Sequence, residues 1–314
     1  MLAALGANLG ITVTKLAAAL LTGSASMFAE TLHSLADSGN ELLLLIGRRR
    51  SERERTDEHP FGFGRERYLY AFVVAVMLFT VGGVLSGYEG VQRILHPGRV
   101  DDPVIAIVVL IVAMALEGFS LRTAVINARA GRAGQSWWAF IRRAKAPELP
   151  VVLLEDTAAL TGLVIALIGV SLAVITGNDA WDGIGSLVIG VLLGCVAVVL
   201  AGEMKSLLIG ESATASAQQA IVAALEDGPE VERVIHLRTV HIDPESVLVA
   251  AKIAVPPSST AVQIVAGINA AERRVRAAVP TVGVIYLEPD IYRADLADEA
   301  DPSVRAAHRP GDRD

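Results

Sequence analysis

The stretch SMFAETLHSLADSGNELLLLIG, residues 26–47, decides the fold. It is long and apolar enough to cross a bilayer as a helix, since a hydrocarbon core of about 30 Å needs about 20 apolar residues. It nevertheless carries five polar side chains at helical spacing, namely Glu30, His33, Asp37, Asn40 and Glu41. Ionisable groups inside a membrane usually face the interior of a helix bundle and mark ion pathways. We therefore predict that this helix lines a polar site inside a membrane domain.

The composition favours a membrane protein and excludes several other classes. Of the 314 residues 53% are hydrophobic, and the mean hydropathy is +0.50, which is high for a soluble domain. The net charge of −7 argues against nucleic acid as a partner. The lone cysteine, Cys195, leaves no disulfide framework and no thiolate metal cluster. The sequence contains neither an HExxH motif nor a nucleophile elbow, which argues against an intramembrane hydrolase. We expect no enzymatic activity and no prosthetic group.

Six segments are apolar and long enough to span a bilayer, which predicts six transmembrane helices. No basic region precedes the apolar core of the first segment, so we expect a retained span and not a signal peptide. The two most basic connections are residues 48–67, with seven Arg, and residues 127–148, with five Lys or Arg. Basic connections mark the cytoplasmic side, and an even number of spans puts both termini there, in the cell membrane if the source is bacterial. The six segments are residues 2–21, 24–47, 68–94, 104–126, 150–176 and 181–208.

The character of the chain changes after the sixth segment. Residues 209–293 alternate between amphipathic helix patterns and runs of β-branched residues, in the order αββαβ. This order predicts a small cytoplasmic α+β domain with its helices on one face of a sheet. Residues 294–314 are polar and lack aromatic residues, which is typical of a disordered tail. We therefore expect three parts: a transmembrane domain at residues 1–208, the α+β domain, and the tail.

The polar stripe has the chemistry of a metal site. His33 and Asp37 are four residues apart on one helix face, so an imidazole nitrogen and a carboxylate oxygen can share one divalent cation. Zinc needs four ligands, so another helix must contribute. The fifth segment offers Glu155 and Asp156, and the fourth offers Glu117. The alternative reading is that these groups are ordinary interior pairs without a transport role.

Four motifs together resemble the cation diffusion facilitator family, and most closely its branch that contains the mitochondrial zinc transporter of animals. They are GSASMFAETLHSLADSGN, HPFGFGRER, VVLLEDTAAL and DGIGSLVIG. The resemblance covers the six predicted spans, about two thirds of the chain, and more weakly the C-terminal domain. It implies a homodimeric exporter of a divalent metal, most often zinc, that exchanges the metal for protons by alternating access. It also implies that the cytoplasmic domain has a ferredoxin-like, metallochaperone fold.

The resemblance implies a particular ligand set, from which this chain departs at one position. In the family, HxxxD or DxxxD on the second span joins HxxxD on the fifth. Here the motif matches at His33, Asp37 and Asp156, but Val152 stands where the histidine is expected. We expect Glu155 to replace it, with Glu117 as the second candidate and Glu30 as the third. The predicted site is therefore His33, Asp37, Glu155 and Asp156.

The missing histidine leaves two alternatives open. A site richer in oxygen ligands would suit manganese or iron as well as zinc, within the same family. A degenerate site could also belong to a membrane protein that regulates or scaffolds without transporting.

Two further features are of interest. Lys15 interrupts the first span and is expected either to pair with a carboxylate or to extend to the membrane surface. The third and sixth spans each carry a GxxxG pattern, at Gly83 and Gly87 and at Gly190 and Gly194. Such patterns let helices approach closely, either between two protomers or within one.

Overall fold

The computed structural model describes residues 2–23, 25–96, 103–132 and 134–293. The chain divides into two compact units, Met1–Ser206 and Leu207–Asp314. The tail predicted at residues 294–314 lies outside the described residues. The first unit is helical and the second combines helices with a sheet.

The first unit contains all six predicted apolar segments as helices. Two features were not predicted: a π-helical segment, Leu78–Leu85, in the third span, and a short helix in the connection after the fourth. The short helix begins where Ser136 Oγ accepts a hydrogen bond from the Ala139 amide at 3.1 Å. The helices are α1 (Leu2–Thr22), α2 (Ala25–Ser51), α3 (Glu66–Met77), which continues through the π segment into α4 (Ser86–Leu95), α5 (Pro103–Arg132), α6 (Trp137–Arg143), α7 (Glu148–Thr176) and α8 (Ala180–Ile209).

Among the described residues, four helices are long and apolar enough to cross a membrane. They are Glu66–Leu95, Pro103–Arg129, Glu148–Thr176 and Ala180–Ile209. The described apolar part of α1, Leu9–Thr22, is shorter. Helix α2 is long enough, with 27 residues, but its polar stripe makes it less apolar than the four. The first unit is thus a helical domain of membrane type.

Helix α2 packs against most of the first unit. It contacts α1, α7 and the continuous helix formed by α3, the π segment and α4. At Gly47 the contact is close, because a Cβ there would lie 2.7 Å from the Tyr70 Cβ. Helix α5 in turn packs against α1 and α7. The polar stripe of α2 therefore faces other helices. This arrangement is expected, because a stripe of charges would be unstable against lipid.

The two glycine patterns meet inside one chain. A Cβ at Gly83 would lie 3.3 Å from the Gly194 amide nitrogen, and one at Gly190 would lie 2.6 Å from the Gly87 amide nitrogen. Ser186 Oγ adds a hydrogen bond of 2.9 Å to a backbone oxygen of α4. Of the two uses that the sequence left open, the structure therefore shows the contact within a protomer, where helix α8 lies directly on the backbone of the π segment and α4.

Gly190→Ala should destabilise the first unit by about 1–3 kcal/mol, because the new Cβ meets backbone atoms that no change of rotamer can move. Gly202→Ala is the matched control on the same helix, since nothing lies within 4 Å of a Cβ there. It should be neutral or slightly stabilising, because alanine has the higher helix propensity. Thermal unfolding of the full chain in detergent measures both, and equal midpoints for the two variants would contradict the close contact.

The second unit has the predicted αββαβ order. Helix α9 (Ala215–Glu226) precedes strands β1 (Arg233–Asp243) and β2 (Ser246–Ala254), and α10 (Ala261–Ala278) precedes β3 (Val282–Asp290). The sheet order is β1-β2-β3, with β1 and β2 antiparallel and β2 and β3 parallel. The parallel pair needs a crossover connection, which α10 provides. The two helices pack against each other, and one apolar core joins them to the strands.

Arg274 on α10 links this helix to α9 and to the segment before β1. Its guanidinium donates to the backbone oxygens of Ala224 and Leu225, at the end of α9, at 2.8 and 3.2 Å. It also donates to Glu230 Oε1 at 2.5 Å, in the segment before β1. Burial raises the pKa of Glu230, but the hydrogen bond and charge of Arg274 outweigh it and hold the pKa below its ordinary value.

Glu230→Gln should therefore lower the stability of the second unit at neutral pH. It should also reduce the loss of stability that the unit shows as the pH falls. A carboxylate with a depressed pKa stabilises the fold above its unfolded pKa, and this contribution is lost as the pH falls through the folded value. Hydrogen exchange of the α9 and α10 amides, at neutral pH and at about pH 4, measures the effect in the full chain. Glu232→Gln, at an exposed neighbouring position, is the control. Identical exchange in both variants would show that the pair with Arg274 contributes nothing.

Candidate metal site

His33 is the most deeply buried ionisable residue of the predicted site. It has no exposed surface, and its Nε2 lies 3.5 Å from Asp37 Oδ2, one turn further along α2. Within the described part of the chain, neither ring nitrogen makes a hydrogen bond, and neither does Asp37 Oδ1. Buried polar atoms normally have partners, and leaving one unbonded costs about 1–3 kcal/mol. These atoms are therefore available to a ligand.

Glu155 on α7 faces α2. Its Oε1 accepts a hydrogen bond from Asn40 Nδ2, and both residues are buried. Asn40 belongs to the polar stripe but was not predicted as a site residue. Its position, three residues after Asp37 and seven after His33, places it on the same helix face and was the available signal. The amide fixes the orientation of the carboxylate, as the outer partners of metal ligands commonly do.

Asp156, the next residue on α7, faces a different helix. Its Oδ2 accepts a hydrogen bond of 3.0 Å from Ser120 Oγ on α5. Neighbouring residues of a helix cannot share one face, which explains the divergence. Ser120 is a second residue that the sequence reasoning missed. The two carboxylates of α7 thus connect it to two different helices.

Lys15 on α1 contributes a positive charge beside these acids. Its side chain is 1% exposed, and its Nζ donates to Ser34 Oγ at 2.7 Å. The same nitrogen lies 3.9 Å from Glu117 Oε1 on α5. Of the two uses considered for Lys15, the structure confirms pairing with a carboxylate. Glu30, the third candidate for the missing ligand, lies outside the described side chains.

The predicted ligands share one region of the bundle without forming a closed coordination sphere. In the described part of the chain, no group of three or more His, Cys, Asp or Glu side chains is close enough to hold a metal ion. Hydrogen bonds nevertheless join the helices that bear them, since Asn40 on α2 reaches Glu155 and Ser120 on α5 reaches Asp156. Several carboxylates and one imidazole between packed helices thus form an acidic centre inside the first unit.

The chain thus combines a helical unit of membrane type, with an acidic centre inside it, and a small α+β unit that follows. Residues 1–209 match the family model described as the cation efflux transmembrane domain. The chain belongs to the cation efflux family, which confirms its resemblance to the cation diffusion facilitators.

Named relatives support this assignment. The human "Proton-coupled zinc antiporter SLC30A9, mitochondrial" is 38% identical over 224 residues, which cover 71% of this chain and 39% of the human protein. "Metal tolerance protein C4" of Arabidopsis thaliana is 32% identical over 222 residues, which cover 70% of this chain and 49% of that protein. The match thus spans less than half the length of either relative. Among solved structures, a nickel form of a MamM CTD variant is 24% identical and covers 26% of this chain and 100% of that chain, with a TM-score of 0.24.

A thiol cross-link tests the contact between α2 and α7. In a Cys195→Ser background, the pair Asn40→Cys and Glu155→Cys should react with a short bifunctional thiol reagent, because the native side chains touch. Leu35→Cys with Glu155→Cys is the control, since Leu35 is 53% exposed on α2. Mass spectrometry of proteolytic peptides detects the linked product. Equal linking of both pairs would contradict the packing of the stripe against α7.

Proposed function

We propose that this chain is a membrane exporter of a divalent metal ion, with zinc as the cargo, that exchanges metal for protons by alternating access. Membership of the cation efflux family supports transport, and the name of the human relative supports zinc and protons. The observation that carries the proposal is His33, which is fully buried, 3.5 Å from Asp37, and without a hydrogen bond to either ring nitrogen in the described part of the chain. Imidazole and carboxylate together suit zinc.

The proposed ligands are His33 and Asp37 on α2 with Glu155 and Asp156 on α7. They belong to two helices that pack against each other, but as described they are not all within reach of one ion. The proposal therefore requires that α2 and α7 close around the metal when it binds. Such a movement between two states is what alternating access demands of a carrier.

Proton exchange follows from the chemistry of the ligands. Carboxylates and imidazole bind a metal only in their deprotonated forms, so binding releases protons. When the site opens to a more acidic compartment, protons compete for the same oxygen and nitrogen atoms and displace the metal. The metal site itself thus provides the coupling, and no separate proton path is required.

The membrane topology of the chain is also part of the proposal. Helices α1 and α2 complete a six-span domain at residues 1–208, with the α+β domain of residues 209–293 and both termini in the cytoplasm. The basic connections at residues 48–67 and 127–148 support this orientation. A homodimer, which the family resemblance implies, completes the arrangement, and the cell membrane is its location if the source is bacterial.

Zinc uptake into sealed vesicles that contain the purified full chain tests the function. Uptake should rise when the vesicle lumen is more acidic than the outside, because protons leaving the lumen drive zinc inward. His33→Ala and Asp37→Asn should each reduce uptake by about tenfold or more, since each removes a ligand. Leu35→Ala is the control on the same helix, because that side chain is exposed.

Three results would count against the proposal. Zinc uptake that does not depend on the pH gradient would exclude coupling to protons. Uptake that persists in the double variant His33→Ala with Asp37→Ala would exclude the site. Zinc binding without transport would favour the scaffold alternative. Competition by manganese or iron under the same conditions decides between zinc and the other cargoes.

A further inference from the structure

A buried lysine lies beside the proposed metal site, and the proposed mechanism does not use it. Lys15 is 1% exposed, although a lysine in a membrane helix can usually extend to the surface. Its Nζ instead contacts Ser34, which follows His33 in the chain, and lies 3.9 Å from Glu117. A buried charge of this kind is strongly unfavourable unless it is paired. Its presence next to the proposed metal site therefore calls for an explanation.

We propose that Lys15 is an internal counter-ion that limits the affinity of the site for its metal, so that the metal can be released. This inference rests on the proposed transport function and deepens it. Lys15 is a positioning residue and does not touch the metal. It acts in two ways, by holding Glu117 on the α1 side of α5 and by adding one positive charge beside the carboxylates.

The contacts of α5 show how the charge reaches the site. Glu117 and Ser120 are three residues apart and lie on the same face of α5. Glu117 is near Lys15 on α1, and Ser120 donates to Asp156 on α7. The ammonium group thus contacts α2, which bears His33 and Asp37, and is connected to Asp156 on α7 only through α5.

The sign of the effect follows from charge alone. A divalent cation that enters the site is repelled by the Lys15 ammonium and attracted by the Glu117 carboxylate. Removal of Lys15 should therefore strengthen metal binding and slow release, whereas removal of Glu117 should weaken binding. Removal of both leaves the net charge of the region unchanged, so binding should return close to that of the native chain. If Lys15 had a purely structural role, removal of Lys15 and removal of Glu117 would not change the metal affinity in opposite directions.

Zinc uptake by the full chain in proteoliposomes, measured as KM and kcat, tests this inference. Lys15→Met should lower both KM and kcat by about tenfold, and Glu117→Gln should raise KM by about tenfold. The double variant should have a KM within about threefold of the native chain. Lys15→Arg keeps the charge and should resemble the native chain. If Lys15→Met does not fold, the KM values of Glu117→Gln and of the double variant still test the inference.

Thr12→Val is the matched structural control. Thr12 also joins α1 to α2, by a hydrogen bond of 3.0 Å to the Ser34 backbone oxygen, but it carries no charge. It should leave KM near the native value. The inference is overturned if Lys15→Met and Thr12→Val have the same KM, or if the double variant has a KM as high as Glu117→Gln, which would make Glu117 a ligand. A native chain that takes up no zinc would instead overturn the proposed function.

Discussion

The first unit depends on one constraint, which is that the polar stripe of α2 must be enclosed by other helices. Polar side chains in the middle of a membrane helix are unfavourable against lipid and are tolerated only where partners or a cavity surround them. Helices α1, α7 and the continuous helix of α3 and α4 pack around α2 and meet this need. Several contacts are specific: Lys15 reaches Ser34, and Asn40 reaches Glu155. In the described part of the chain, His33 makes no hydrogen bond through either ring nitrogen, which sets it apart from the other members of the stripe with described contacts.

The rest of the bundle is held by close approach between backbones. Helix α8 lies on the π segment and α4 through glycines, where any Cβ at Gly190 would clash with the neighbouring backbone. Contacts of this kind suit helices in lipid, where small residues permit van der Waals packing that the hydrophobic effect does not supply. Glycine contacts between backbones thus fix α8, while contacts between polar side chains join α2 to α1 and α7.

Much of this could be predicted from the sequence because the signals were local. The αββαβ order followed from hydrophobic periodicity, and the presence of His33 and Asp37 on one face followed from their spacing of four residues. The family followed from long motifs. The π segment could not be predicted, since its residues Leu78–Leu85 read as ordinary apolar helix. Nor could the roles of Asn40 and Ser120, because a hydrogen bond between helices depends on the rotation of each helix about its axis.

The divergence of Glu155 and Asp156 has a consequence for how the bundle can move. Successive residues of an α-helix are offset by about 100° around its circumference, since about 3.6 residues make a turn. A rotation of α7 by that amount would turn Asp156 towards α2 and Glu155 away from it. A rotation of α7 about its own axis therefore redirects both carboxylates at once, because it turns one acid away from its present partner helix as it brings the other towards α2.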